Sequence, residues 1–247
     1  MNIVLLVILA ANGLISYKGF NDTHFFRKYE FHIGSIRSGE QFRMFSSGFL
    51  HVDLMHLLFN MFTLYMFAPF VINSVGAMYF AYLYFGSLIA GNLLTLYFHK
   101  DEYYYRAVGA SGAVMGIIYS AILLEPNLYM YGFIPGYIFG FAYLLFSIYG
   151  MKAKSDNIGH VAHFGGAIGG FGITLAKFPF LITEESKTVI ALLVPIVILF
   201  IINKKKSRKF WLKVFNVYLW VAILVISQIV FILHLFTYIE FYTANIK

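Results

Sequence analysis

The chain has 247 residues, 60% of them hydrophobic and only 12% charged, against about 25% charged in an ordinary soluble domain. That is too little charge to solvate a globular surface, so the composition excludes a soluble enzyme and indicates a polytopic membrane protein. The chain has no cysteine, which excludes disulfides, thiolate metal sites and a cysteine nucleophile; its formal charge of +7 belongs with lipid headgroups and loop orientation, not with nucleic acid.

The first apolar segment runs from Asn2 to Tyr17. As a helix it rises about 24 Å, slightly short of a ~30 Å hydrocarbon core. A snorkelling Lys18 extends it to Phe20. Only Asn2 precedes the apolar run, so the basic start of a signal peptide is missing and an uncleaved span is expected. Asn21 to Ser47 is a long mixed loop carrying Arg27, Lys28, Arg37 and Arg43 among Phe25, Phe26, Tyr29, Phe31, Phe42 and Phe45. Interleaved rings and cations suit the headgroup layer, so this loop is expected to be ordered and to lie in the interface.

Gly48 to Ile72 forms the second expected span and contains His51, Asp53, His56 and Asn60. Polar groups inside a bilayer are costly and point to function. His56 and Asn60 are four apart, on one helix face, and both can donate a hydrogen bond. Interhelical polar bonding explains one such residue; an aligned pair is harder to explain that way. His51 is rotated away from His56 and reads as structural, near the surface end, with Asp53 facing water or a loop. Ala77 to Phe98 is the third span, mostly aromatic and aliphatic, with Gly86, Gly91 and Asn92.

A polar segment, Lys100 to Arg106, precedes Ala107-Val108-Gly109-Ala110-Ser111-Gly112-Ala113-Val114-Met115-Gly116, which opens a fourth span ending at Leu124 before Glu125-Pro126-Asn127. A helix beginning near Ser111 holds the serine at its first turn, just below the membrane surface. First-turn N–H groups lack intrahelical partners and carry partial positive charge, an anion-stabilising site of the kind acyl transfer needs. On this segment alone, packing by small residues and capping by Ser111 explain it as well. Gly112 and Gly116 share a face and allow close helix approach.

The fifth span runs from about Leu128 to Tyr149, with Pro135-Gly136 either kinking it or starting the regular helix. A loop from Gly150 to Ile158 carries Lys152, Lys154 and Asp156. The sixth span, Gly159 to about Leu175, contains His160 and His163 and two small-xxx-small pairs, Gly165/Gly169 and Gly166/Gly170. Glycine weakens a helix, so this one must gain close backbone contact. The natural partner is the Gly112/Gly116 face, and that contact would bring His163 near Ser111, as a nucleophile and its base require. Two further apolar runs, Thr188 to Asn203 (with Pro195) and Val214 to Phe236, are separated by the basic run Lys204 to Lys209, which reads as a headgroup-binding linker.

Three motifs in order now carry a resemblance: His51-Val52-Asp53-Leu54-Met55-His56-Leu57-Leu58-Phe59-Asn60, Gly109-Ala110-Ser111-Gly112, and Ala162-His163-Phe164-Gly165-Gly166. Together they resemble the rhomboid intramembrane serine proteases. The likeness covers the first span to about Leu175, and Phe42-Arg43 is similar to the family's Trp-Arg pair. It implies an all-α polytopic membrane protein, with a six-helix rhomboid-like core in residues 1–178. Residues 179–247 would add one or two C-terminal transmembrane segments. It implies Ser111 as nucleophile and His163 as general base, with an oxyanion hole from the Ser111 N–H, His56 and Asn60. His51, Gly109, Gly112, Met115, His160 and Gly166 are expected to support the site. It also implies lateral entry of transmembrane protein substrates, with the second and fifth spans as the gate, and no cofactor or metal. The expected location is a bacterial inner membrane, multi-pass, with the site facing outside.

The sequence departs from the family at Phe42, at Ala68-Pro69-Phe70-Val71, which lacks the frequent Gly-Pro, and at Met115, where an aromatic ring commonly stacks on the catalytic histidine. Asp53 and Asp156 are the only acids near the site in sequence, and neither is placed to orient His163, so a dyad without a buried aspartate is expected. His160, one turn before His163, either bonds across helices or is structural. Two other classes remain: a catalytically silent rhomboid-like client-binding protein, which the intact Ser111 and His163 oppose, and a membrane metal protein using His51, His56, His160 and His163, which lacks HExxH and accompanying acids. The loop charges oppose the expected orientation. Lys18, Arg27, Lys28, Arg37, Arg43, Lys100, Arg106, Lys152 and Lys154 would all lie outside, against the positive-inside rule.

Overall fold

The structure, a computed structural model, describes residues 2–153 and 159–204. In chain order its elements are α1 (Ile3–Asn21), α2 (Thr23–Tyr29), β1 (Phe31–His32), α3 (Ile33–Arg37), α4 (Arg43–Ser46), α5 (Leu54–Val75), α6 (Ala77–Phe98), β2 (Arg106–Ala107), α7 (Ser111–Leu124), β3 (Tyr129–Met130), β4 (Ile134–Pro135), α8 (Gly136–Ala153), α9 (His160–Lys177), α10 (Leu181–Glu184) and α11 (Ser186–Lys204). The chain divides into a unit of residues 1–196 and one of 197–247, and of the second only the end of α11 is described. The expected eighth segment, Val214 to Phe236, and the linker beyond Lys204 lie outside the described residues, as do Lys154 and Asp156.

Among the described residues α1, α5 and α6 are long and apolar enough to cross a bilayer on length and composition alone, while the apolar stretches of α7, α8 and α11 are shorter. The mostly helical architecture fits a multi-pass membrane protein. The expectation of an all-α fold needs one correction: β1 pairs with β2 and β3 with β4, both antiparallel. Two expected spans also begin later than their apolar runs. The second becomes helical only at Leu54, after a 3-10 turn at Ser47–Phe49 and an extended Leu50. Asp53 sets that start: it is exposed, as expected, and its carboxylate accepts from the His56 N–H at 2.7 Å to cap the helix. The fifth begins at Gly136, because Leu128 to Pro135 folds into a hairpin whose tip places Tyr131 and Gly132 at φ 54° and 78°. Pro135, which has no N–H, immediately precedes the helix start.

The core is centred on α7, where every residue from Gly112 to Leu123 is buried. Glycine decides what lies against it. A Cβ on Gly166 would fall 1.9 Å from the Gly112 carbonyl oxygen, and one on Gly170 would fall 2.1 Å from that of Gly116. One turn further, the hydroxyls of Thr174 and Ser120 are hydrogen-bonded at 2.8 Å, 54 residues apart in sequence. The same offset holds at all three levels, so α7 and α9 run parallel with backbones in contact. The other glycine pair of α9 serves a different neighbour. A Cβ on Gly165 would lie 2.8 Å from the Ala90 carbonyl oxygen, and one on Gly91 would lie 2.7 Å from that of Ala162. Gly165 and Gly169 therefore face α6, not the Gly112/Gly116 face alone, and α9 is wedged between α6 and α7. Without Cβ atoms the helices approach closely enough for dispersion to replace a hydrophobic drive that lipid does not supply.

The candidate active site

Ser111 is the first residue of α7, and its N-cap, Ala110, supplies no side-chain bond. The first-turn N–H groups thus point out of the helix without a capping side chain. The turn before Ser111 is pinned from three sides by the long first loop. β1 pairs with β2 in the register Phe31↔Ala107 and His32↔Arg106. The Gly109 N–H donates to the Ser47 carbonyl at 3.0 Å. The Ala110 N–H points to His51 Nε2 at 3.4 Å. Gly109 has φ +131°, which a side chain rarely tolerates. A Cβ there would also meet the His56 ring, at 2.9 Å from Cε1 and 3.1 Å from Nε2, and would lie 3.7 Å from Ser111 Oγ. The empty side of Gly109 is therefore where the His56 imidazole and the Ser111 hydroxyl converge.

His56 and Asn60 share a face of α5 as expected, and Asn60 Nδ2 donates to the His56 carbonyl at 2.9 Å. His56 Nδ1 is buried with no hydrogen-bond partner, so Nε2 is the polar edge turned to Gly109 and Ser111. Ser111, His56 and His163 are each partly exposed, while Asn60 is buried. A reacting group can reach the first three.

His51 is fully buried and not on the helix. The Ser16 hydroxyl donates to the Phe49 carbonyl at 2.9 Å, which leaves its oxygen to accept from His51 Nδ1, also at 2.9 Å. With its proton on Nδ1, His51 presents the Nε2 lone pair to the Ala110 N–H. The structural reading of His51 thus gains a definite content: it links α1 to the turn that carries Ser111. Its ring meets that of His56 edge-on at 4.9 Å.

His163 lies on the α9 face of Gly166 and Gly170, one turn before Gly166. Continuing the constant offset of 54 residues sets His163 level with Gly109 and the Ser111 turn. Its Nδ1 is 2.7 Å from the Tyr143 hydroxyl of α8. The ring beside His163 is Tyr143, with centroids 6.2 Å apart and planes 31° apart. Met115 is buried within α7. His160 is 3% exposed; it packs edge-on against Phe146 at 5.2 Å and fills the space where a Cβ on Gly150 would be 2.1 Å from Nε2. Among the described residues no group of three or more His, Cys, Asp or Glu side chains is placed to hold a metal ion.

Sequence reasoning missed Tyr143 and Ser16. Ser16 had a signal: with Asn12 it forms a buried i, i+4 polar pair in an otherwise apolar span, and Asn12 bonds the Tyr84 hydroxyl at 3.2 Å. It also missed Glu30, 2% exposed, whose carboxylate takes ion pairs from Arg27 and from Arg106 of β2.

Comparison with known proteins gives the same direction. The Rhomboid domain family model matches residues 38–180, more than half of the chain. The chain is 32% identical over 141 residues to "Putative rhomboid protease YdcA" of Bacillus subtilis, covering 55% of this chain and 67% of that protein. It is 27% identical over 181 residues to "RHOMBOID-like protein 12, mitochondrial" of Arabidopsis thaliana, covering 66% and 54%. It is 29% identical over 132 residues to "Rhomboid protein 1, mitochondrial" of Saccharomyces cerevisiae, covering 50% and 38%. The matched stretch thus spans from about two fifths to two thirds of these relatives.

Proposed function

The chain belongs to the rhomboid family, and from that premise we propose that it is an intramembrane serine endopeptidase cleaving transmembrane segments of membrane-protein substrates through a Ser111–His163 dyad. The observation that carries the reading is convergence. The glycine-to-backbone register of α7 and α9 brings His163 level with the turn that bears Ser111, and His56 enters the same turn from α5 across Gly109. In this reading Ser111 Oγ attacks the scissile carbonyl carbon as its proton passes to His163 Nε2. The carbonyl electron pair moves to oxygen, and the first-turn N–H of Ser111 with His56 Nε2 and Asn60 donates to that oxyanion. His163 then gives the proton to the amine as the oxyanion collapses and the C–N bond breaks. A water that loses a proton to His163 hydrolyses the acyl-serine, and His163 returns that proton to Ser111 Oγ. Gly109, Gly112 and Gly166 support the site by permitting close approach, and His51 by holding the Ala110 N–H. Residues 1–178 form the catalytic core and 179–247 an addition to it. The active site faces outside a bacterial inner membrane.

The test is cleavage of a model transmembrane substrate in liposomes, paired with labelling by a serine-directed fluorophosphonate. Ser111→Ala should abolish both in a protein that still folds, and His163→Ala should be comparably inactive, since the two act as a unit. Wild-type cleavage by folded Ser111→Ala protein would sink the proposal.

A further inference from the structure

Tyr143 is a polar side chain of α8 that the structure joins to His163 of the proposed dyad, and no sequence motif singles it out. Its hydroxyl is 2.7 Å from His163 Nδ1. Its ring is held in place along one face of the helix, stacked on Phe139 at 5.9 Å and 24° and tilted against Phe146 at 6.3 Å. Below it the helix is anchored to the core: the Tyr119 hydroxyl donates to the Gly140 carbonyl at 2.6 Å, and a Cβ on Gly140 would meet Leu192 at 2.5 Å. A tyrosine buttressed in this way has little rotamer freedom, so the oxygen it offers is fixed in space.

The chemistry of the dyad says what a fixed oxygen at Nδ1 does. To accept the serine proton at Nε2, a neutral imidazole must carry its resting proton on Nδ1. That tautomer needs an acceptor at Nδ1, the place an aspartate takes in a triad. Resting on the Ser111–His163 reading, we propose that Tyr143 is the positioning residue of His163. Its hydroxyl oxygen accepts the Nδ1–H, selects the tautomer with Nε2 open, and keeps the ring aimed at Ser111. When Nε2 takes the serine proton the Nδ1–H stays where it is, and its bond to Tyr143 becomes charge-assisted and stronger. The tyrosine gains or loses no proton. A neutral phenol oxygen does this without burying a carboxylate in the bilayer, which would be costly. Because Tyr143 belongs to α8, the base is aligned only while α8 is seated on α9.

The experiment uses the full-length protein in liposomes, with Tyr143→Phe, which keeps the ring and removes the oxygen. Expected is a drop in kcat of about tenfold with KM within twofold of wild type. The rate of fluorophosphonate labelling at Ser111 should fall in parallel, and the thermal midpoint should be unchanged. In a His163→Ala background the same change should alter residual labelling by less than twofold, because there is then no Nδ1 to hold. Wild-type kcat in Tyr143→Phe would overturn the proposal while leaving the dyad intact. So would an equal loss in the His163→Ala background, and so would loss of the fold, each of which makes the tyrosine a packing residue. Cleavage that survives in Ser111→Ala removes the dyad itself and is read separately.

Discussion

Gly166→Ala tests whether the site depends on backbone contact between α7 and α9. The added Cβ would start 1.9 Å from the Gly112 carbonyl oxygen, 1.1 Å inside the 3.0 Å below which such contacts are essentially never found. The obstacle is backbone, not the end of a flexible side chain, and it lies beside Ser111 in sequence. Nothing there can rotate away, so the helices must separate by at least about 1 Å. His163 sits one turn from Gly166 on the moving helix, and the base-to-nucleophile gap opens by a similar amount. A misplacement of that size costs on the order of 10²-fold in rate, and overpacking of this kind costs about 1–3 kcal/mol in stability. The assay is fluorophosphonate labelling and substrate cleavage beside a thermal melt. Gly172→Ala is the control on the same helix, because a Cβ there meets nothing within 4 Å. It should leave labelling, cleavage and the melt unchanged. Near wild-type activity in Gly166→Ala, or equal losses in both variants, would refute the reasoning.

Glu30→Ala removes a carboxylate that is 2% exposed and pairs with Arg27 and Arg106, which are 58% and 41% exposed. The cations can return to water, so the loss should be about 1–2 kcal/mol, read as a lower melting midpoint with a smaller fall in turnover; an unchanged melt would show that the pair holds nothing. For orientation, the absence of cysteine allows single-site labelling with an impermeant maleimide in intact cells. Tyr104 is 82% exposed in the loop before α7 and Phe133 is 73% exposed in the hairpin after it, so cysteines there should lie on opposite sides. Tyr104→Cys should label from outside and Phe133→Cys only after lysis; the reverse would put the site on the cytoplasmic face.

What the sequence made legible was whatever a bilayer makes expensive. Histidine, asparagine and repeated glycine inside apolar runs stand out because each needs compensation, and His56, Asn60, Gly112 and Gly166 all lie at close contacts. Helix starts were less legible. An apolar run continues through the 3-10 turn at Ser47–Phe49 and through Leu128 to Pro135, because the loops here also pack against apolar surroundings. Asp53 and Pro135 carried the correct boundaries. Tyr143 was hidden by abundance: with 19 tyrosines and 28 phenylalanines in the chain, one hydroxyl on an aromatic face carries no signal by itself. Its helical spacing to Phe139 and Phe146 marks a face, but only the fold shows that His163 lies across from it.

The first loop connects these points to the charge pattern that opposes the proposed orientation. The positive-inside rule is counted over loops of up to about 60 residues, and only longer loops and whole domains cross largely regardless of charge. Five of the opposing cations, Lys18, Arg27, Arg37, Arg43 and Arg106, are held by internal contacts of the first loop and the segments beside it. Arg43 is 7% exposed and donates to the Arg27 and Glu30 carbonyls at 2.8 and 3.0 Å, with its Nε on Glu40 at 2.6 Å. Arg27 and Arg106 are paired to Glu30, and Arg37 donates to the Lys100 carbonyl at 2.9 Å. Lys18 lies 4.5 Å over the Phe25 ring. The same loop supplies β1 to pair with β2 and the Ser47 carbonyl that holds Gly109. The arginines satisfy buried carbonyls and a buried carboxylate of the loop whose β1 and Ser47 hold the turn leading into Ser111. Cations committed in this way have internal partners on whichever side the loop lies, and because their count still opposes the proposed orientation, the maleimide labelling is what decides it.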